Sequence, residues 1–133
     1  MTIDFHPRTG MVLICNYETG FVLPEMVKLR RVVVVSEDDH NKYGLCTVIP
    51  FSTTPPGTEQ PFHVRFEPAS YPFLHQHLPS WAKCNMINTV SCQRLDRVRI
   101  GKNYLSPRIN EEDLSRIYKA MLTVFGQRLD RVR

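Results

Sequence analysis

No two cysteines in this chain stand at CxxC spacing; the four of them fall at Cys15, Cys46, Cys84 and Cys92. A structural zinc site built from such scattered thiols is not expected. Cys15 and Cys46 lie inside apolar runs and read as reduced core thiols. No apolar run approaches the roughly 20 residues that span a bilayer; the longest, VVVV at 32–35, reads as a buried strand, so no membrane is expected among the partners. The opening MTIDFHPRTG has no basic stretch followed by an apolar one. It does not read as a signal peptide, and the expected compartment is the cytoplasm. Also lacking are a Gly-rich phosphate loop, a GxSxG elbow and an HExxH helix, which removes the nucleotide-binding, serine-hydrolase and zincin patterns. HQH at 75–77 has no acidic or sulfur ligands beside it and reads as a solvated loop. No metal and no cofactor is expected.

What is present is one domain's worth of chain, 133 residues, with the 42% hydrophobic and 23% charged content of a globular protein. The net charge of +4 permits an anionic partner, nucleic acid or an acidic protein tail, without requiring one.

The first hundred residues read as short strands between turn-rich loops. GMVLICNY (10–17), RRVVVVS (30–36) and LCTVIPF (45–51) are apolar and rich in β-branched residues. The Gly- and Pro-containing ETGFVLPEMVKL (18–29) and the Pro-Pro-Gly of STTPPGTEQ interrupt them. PFHVRFE (61–67) alternates, with Phe62, Val64 and Phe66 on one face and His63 and Arg65 on the other. WAKCNMINTVSC (81–92) supplies one or two more strands. Strands so short and so regularly spaced predict a small barrel or sandwich.

The period then changes. Leu114, Ile117, Tyr118, Met121, Leu122 and Phe125 recur at the spacing of one helical face. Asn110 is placed to cap that helix, Glu111, Glu112 and Asp113 suit its positive end, and Gly126 suits its stop. A helix over about 111–125 therefore covers the barrel, unless a dimer partner shares its face. The heptapeptide QRLDRVR occurs at 93–99 and again at 127–133. The first copy continues a strand-like region. The second follows the helix stop and reads as an appendage to a single domain of residues 1–126.

The polar residues that strands of this order could gather are Glu25, Lys28 and Arg30 in one loop-to-strand segment, then Ser52, Thr53 and Thr54, then Asn88, Thr89 and Ser91. On residue type alone they read as surface loops and strand ends. Their order carries more. Gly10 opens a hydrophobic strand; PEMVKLRRVVVVS leads a basic loop into a Val-rich strand; VIPFSTT ends a strand in Pro and hydroxyl residues; CNMINTVSCQRLDRV and an amphipathic helix follow. From about Thr9 to Val98 this series resembles the PemK/MazF family of toxin endoribonucleases.

The resemblance implies an SH3-like barrel, usually a homodimer, that cuts single-stranded RNA without metal and is silenced by a cognate antitoxin. By position it implies Arg30 as the catalytic arginine, Ser52 as the catalytic hydroxyl with Thr53 assisting, and Glu25 as a base or as a partner of Lys28. Lys28, Asn88 and Thr89 fall among the substrate-binding positions. By residue type and loop position, Phe21 or Tyr17 reads as a base-stacking ring or as a hydrophobic clamp. Arg31 stands where the family usually has proline, and a one-residue slip would exchange it with Arg30. Asn88 and Ser91 stand where some relatives carry an arginine and an aspartate, which implies an altered sequence preference or weakened cleavage. Two other readings stay open: a non-enzymatic toxin of the same fold that binds DNA gyrase, and an RNA-binding relative that has lost turnover.

Overall fold

The computed structural model describes residues 2–126; the second QRLDRVR lies outside the described residues. Eight strands and one helix follow one another: β1 (Val12–Asn16), β2 (Leu29–Val34), β3 (Leu45–Ser52), β4 (His63–Phe66), β5 (Ser80–Lys83), β6 (Asn88–Ser91), β7 (Leu95–Ile100), β8 (Asn103–Leu105) and α1 (Glu111–Val124). All pairings are antiparallel. The sheet order is β4-β5-β3-β2-β1-β7-β8, with β6 also on β3.

β3 organises this arrangement because it divides its free edge between two neighbours. Its first half, Leu45 to Val48, pairs with β6; its last two residues, Phe51 and Ser52, pair with β5. Pro50, which cannot donate to a ladder, falls between those two sets. The barrel strands are β6-β3-β2-β1-β7. Their two ends are joined by a 3-10 turn, Cys92–Arg94, so the expected SH3-like barrel is bridged by chain connection and its hydrogen-bonded ladder is not closed. β8 was not legible in the sequence: it returns from β7 through Gly101, whose φ of 62° is open to glycine at little cost.

The valines of β2 are buried on both faces of the sheet, which is why this strand reads as a continuous apolar run. Val32 and Val34 pack with Leu13, Cys15, Tyr17, Cys46, Val48, Val90 and Leu95 in the barrel interior. Val33 and Val35 face the other way, onto Val12, Ile49, Phe51, Val64, Phe66, Ile117 and Ala120. α1 thus covers the outer face together with β4 and β5. Asn110 caps it as expected, its side-chain oxygen accepting from the Asp113 backbone N–H at 2.8 Å, and Gly126 ends it at φ 75°. The expected apolar face holds for Leu114, Ile117 and Met121, but Phe125 is 67% exposed because it sits at the C-cap, beyond the turn that meets the sheet. Between β2 and β3, the buried Asn41 donates to the carbonyls of Pro7 (2.9 Å) and Ser36 (3.2 Å), tying the N-terminal segment to the barrel.

All four cysteines are free, and all but Cys92 are buried. Burial pushes the thiols of Cys46 and Cys84 up to about 12 and that of Cys15 up to about 11. Each is therefore neutral in the fold while its unfolded counterpart ionises from about pH 8.5 upward. The folded chain then holds more protons than the unfolded chain, so stability falls as pH rises. Urea midpoints should be flat from pH 7 to 8 and decline steadily between about pH 9 and 11, with substitution of Cys46 or Cys84 by Ala or Val making the decline shallower.

Candidate active site

The ladder between β2 and β3 ends at Val32 opposite Pro50. Continuing that register by two residues sets Arg30 opposite Ser52 and Arg31 opposite Phe51. Here the two strands part, and the opening between them is a cavity of about 250 Å³ lined by Arg30, Ser52 and Thr53 together with Ser80, Leu74 and His75. β5 brings Ser80 there from the other side, since it pairs with the last residues of β3.

Arg30 is half-buried, and its buried Nε has no hydrogen-bond partner among the described residues. A buried guanidinium N–H without an acceptor is costly. Ser52 is 8% exposed and its Oγ accepts from the Thr54 backbone N–H at 3.1 Å, which leaves its own proton to donate. The site thus offers a cationic fork and two buried hydroxyls, Ser52 and Ser80, with no carboxylate among its lining residues.

Arg31 also reaches this cavity, because the cavity lies at the strand end where the ladder has stopped, but it is exposed. It forms the edge shared with a wider groove of about 450 Å³, in which Arg94, Arg97 and Arg99 of the first QRLDRVR copy join it. These arginines differ in freedom. Arg94 donates to the carbonyls of Asn16 (3.0 Å) and Thr19 (2.8 Å) and lies 4.8 Å over the Phe21 ring, so it holds the β1–β2 loop. Arg97 pairs with Asp4 at 3.2 Å and covers Phe5. The first heptapeptide is therefore both β7 and a wall of the groove.

The remaining sequence candidates lie elsewhere. Glu25 does not line the cavity; its Oε1 accepts from the Val22 backbone N–H at 2.8 Å, closing a turn of its own loop. Lys28 is exposed outside it. Asn88 pairs with Val48, four residues before Ser52, or about 13 Å along the strand. Thr89 is hydrogen-bonded to Thr47 at 2.7 Å across the β3–β6 ladder. Tyr17 is fully buried in the barrel and has no face for a base, whereas Phe21 is half-buried against its edge. His63 lies outside the cavity. Sequence reasoning missed Ser80 and His75. The HQH spacing did draw attention to His75, but as a metal ligand, and among the described residues no group of three or more His, Cys, Asp or Glu could hold a metal.

Comparison with known proteins agrees with this architecture. In Escherichia coli K12 the uncharacterized protein YifN is 30% identical over 142 aligned residues, covering 92% of this chain and 93% of that protein. Among solved structures, an endoribonuclease from a mycobacterial species, in complex with its cognate antitoxin, superposes with a TM-score of 0.63 at 21% identity over 90% of this chain and 95% of its own. MazF from Deinococcus radiodurans gives a TM-score of 0.66 at 16% identity over 93% of this chain and all of its own. At such identities these two structures establish the fold. The sequence model of the PemK-like, MazF-like toxins of type II toxin–antitoxin systems matches residues 8–125, and the chain belongs to that family.

Proposed function

We propose that the protein is an endoribonuclease that cuts single-stranded RNA at the Arg30–Ser52 cavity. The observation that carries this reading is the half-buried Arg30 lining, with the Ser52 hydroxyl, a cavity that has no carboxylate among its lining residues. Such a site is built for one phosphate. RNA brings its own nucleophile: the 2′-oxygen bonds to the adjacent phosphorus, the bond to the 5′-oxygen breaks, and a 2′,3′-cyclic phosphate and a 5′-hydroxyl result. The 2′-proton leaves to a base and the 5′-oxygen takes one up. Arg30 stabilises the charge that builds on the phosphoryl oxygens, since a guanidinium matches them in a bidentate way and stays protonated throughout. Ser52 donates to the same phosphate, with Thr53 at the rim. A metal ion is not needed for this charge balance.

The wider groove extends the cavity with Arg31 and Arg99, which suits the flanking phosphates of a single strand. The same surface suits the acidic segment of a cognate antitoxin, which would silence the protein by covering it. A homodimer belongs to this reading. Tyr104 and Leu105, 62% and 44% exposed on the edge strand β8, are apolar surface that supports a protein partner there. The test is incubation of the purified protein with mixed-sequence single-stranded RNA in EDTA. Discrete cuts with 5′-hydroxyl ends are expected. Intact RNA after incubation with a folded, antitoxin-free protein would overturn the assignment.

A further inference from the structure

We propose that His75 is a phosphate-contacting donor of this cavity, held with its proton on Nε2 by the loop that carries it. The inference rests on the endoribonuclease reading and adds a residue to it. Two backbone N–H groups, of His77 at 3.0 Å and Leu78 at 2.9 Å, both donate to Nδ1 of His75. A nitrogen that accepts from two donors carries a lone pair, so the single proton of the neutral ring sits on Nε2. The tautomer is dictated here by main-chain groups, which can only donate.

The loop is not a loose excursion. Phe73 and Leu74, 2% and 3% exposed, anchor it in the outer core immediately before His75. The His75 carbonyl accepts from Ala69 N–H at 2.9 Å, and the Gln76 side chain donates to the Leu74 carbonyl at 2.7 Å. Beyond it the chain enters β5 at the buried Ser80. The exposed imidazole therefore has a set orientation, and it lines the cavity with its Nδ1 edge turned back into the loop. The edge left for a ligand is Nε2–H. Because β3 lies between β2 and β5 in the sheet, Ser80 flanks Ser52 on the side away from Arg30, and His75 lines the same cavity. A phosphate in the cavity would meet both a charged fork and a neutral N–H donor.

Three substitutions separate this role from a merely structural one. In H75N the side-chain oxygen replaces Nδ1, accepting from the backbone two and three residues on as an Asx turn does, but no donor reaches the cavity. In H75Q the amide N–H takes the place of Nε2–H and the turn loses its acceptor. H75A lacks both. Each is compared with wild type and Arg30→Ala for cleavage of single-stranded RNA, for binding of the same RNA fully 2′-O-methylated, and for thermal midpoint. Expected are cleavage about 100-fold slower in H75A and H75N, binding weaker by about tenfold, and H75Q within about tenfold of wild type in cleavage despite a lower midpoint. If H75N cuts and binds like wild type, or if H75Q loses as much as H75N, the donor role is overturned. In either case wild-type cleavage that disappears in Arg30→Ala leaves the endoribonuclease reading standing. A wild-type protein that neither cuts nor binds overturns both.

Discussion

Replacing Arg30 by alanine is expected to lower the rate of RNA cleavage by about three orders of magnitude while the protein stays folded. Arginines that neutralise a transferring phosphoryl group are worth roughly 10³–10⁵ in rate, and single hydrogen-bond donors to a developing oxyanion about 10²–10³. In the proposed mechanism Arg30 combines the two roles, and its half-buried position would raise the strength of both. Its removal takes away a buried N–H that has no partner among the described residues, so no hydrogen bond of that atom is lost. Arg30→Lys should recover only part of the rate, because an ammonium keeps the charge without the planar fork. Arg31→Ala is the informative neighbour. Arg31 is exposed and shared with the wider groove, so its loss should weaken RNA binding and reduce its salt dependence, with the cleavage rate at saturating RNA within about tenfold of wild type. Single-turnover cleavage of one oligonucleotide at two salt concentrations reads both. A larger rate loss in Arg31→Ala than in Arg30→Ala would exchange their roles.

The largest effect on stability is expected from Ile117→Ala. Ile117 is fully buried where α1 meets the outer face of the sheet, among Val12, Val33, Ile49 and Phe51. Deleting its three outer carbons removes apolar burial and leaves a cavity between two rigid elements, a loss of about 3–4 kcal/mol. For a domain of this size that lowers the thermal midpoint by roughly 10–15 °C. Phe125→Ala, on the same helical stripe by spacing but 67% exposed, should change stability by less than about 0.5 kcal/mol. Urea denaturation of the two variants at matched pH separates a helix docked over its middle turns from one docked to its end. Equal losses would mean that Phe125 is covered in solution, as a dimer partner would do.

Strand segments and helix limits were legible because local chemistry dictates them. The VVVV run, the alternation in PFHVRFE and the Asn110 cap each describe a segment by its own residues. β8 escaped because three exposed residues after a glycine carry no burial pattern. The site was legible to a lesser degree and for a different reason. Arg30 and Ser52 came from resemblance, and the fold explains their proximity through the register of β2 on β3. Asn88 and Thr89 came from the same source yet sit at the other end of β3, since β6 pairs with its first half. No periodicity states which half of a strand its neighbour takes. His75 belongs to a loop whose position is set by the pairing of β5, a tertiary event, so its HQH spacing pointed only to what adjacent histidines do alone.

The split of β3 between β5 and β6 has a mechanical consequence. Arg30 stands on the barrel, whereas His75 and Ser80 stand on the outer hairpin of β4 and β5, and the ladder connects these two bodies through β3 alone. The width of the cleft is thus a hinge coordinate, read at the Ser52 end of a single strand. Anything that tilts the hairpin, including a change in how Phe66 and Phe73 wedge against Phe51, would alter the grip of the proposed site on a phosphate without touching Arg30, Ser52 or His75.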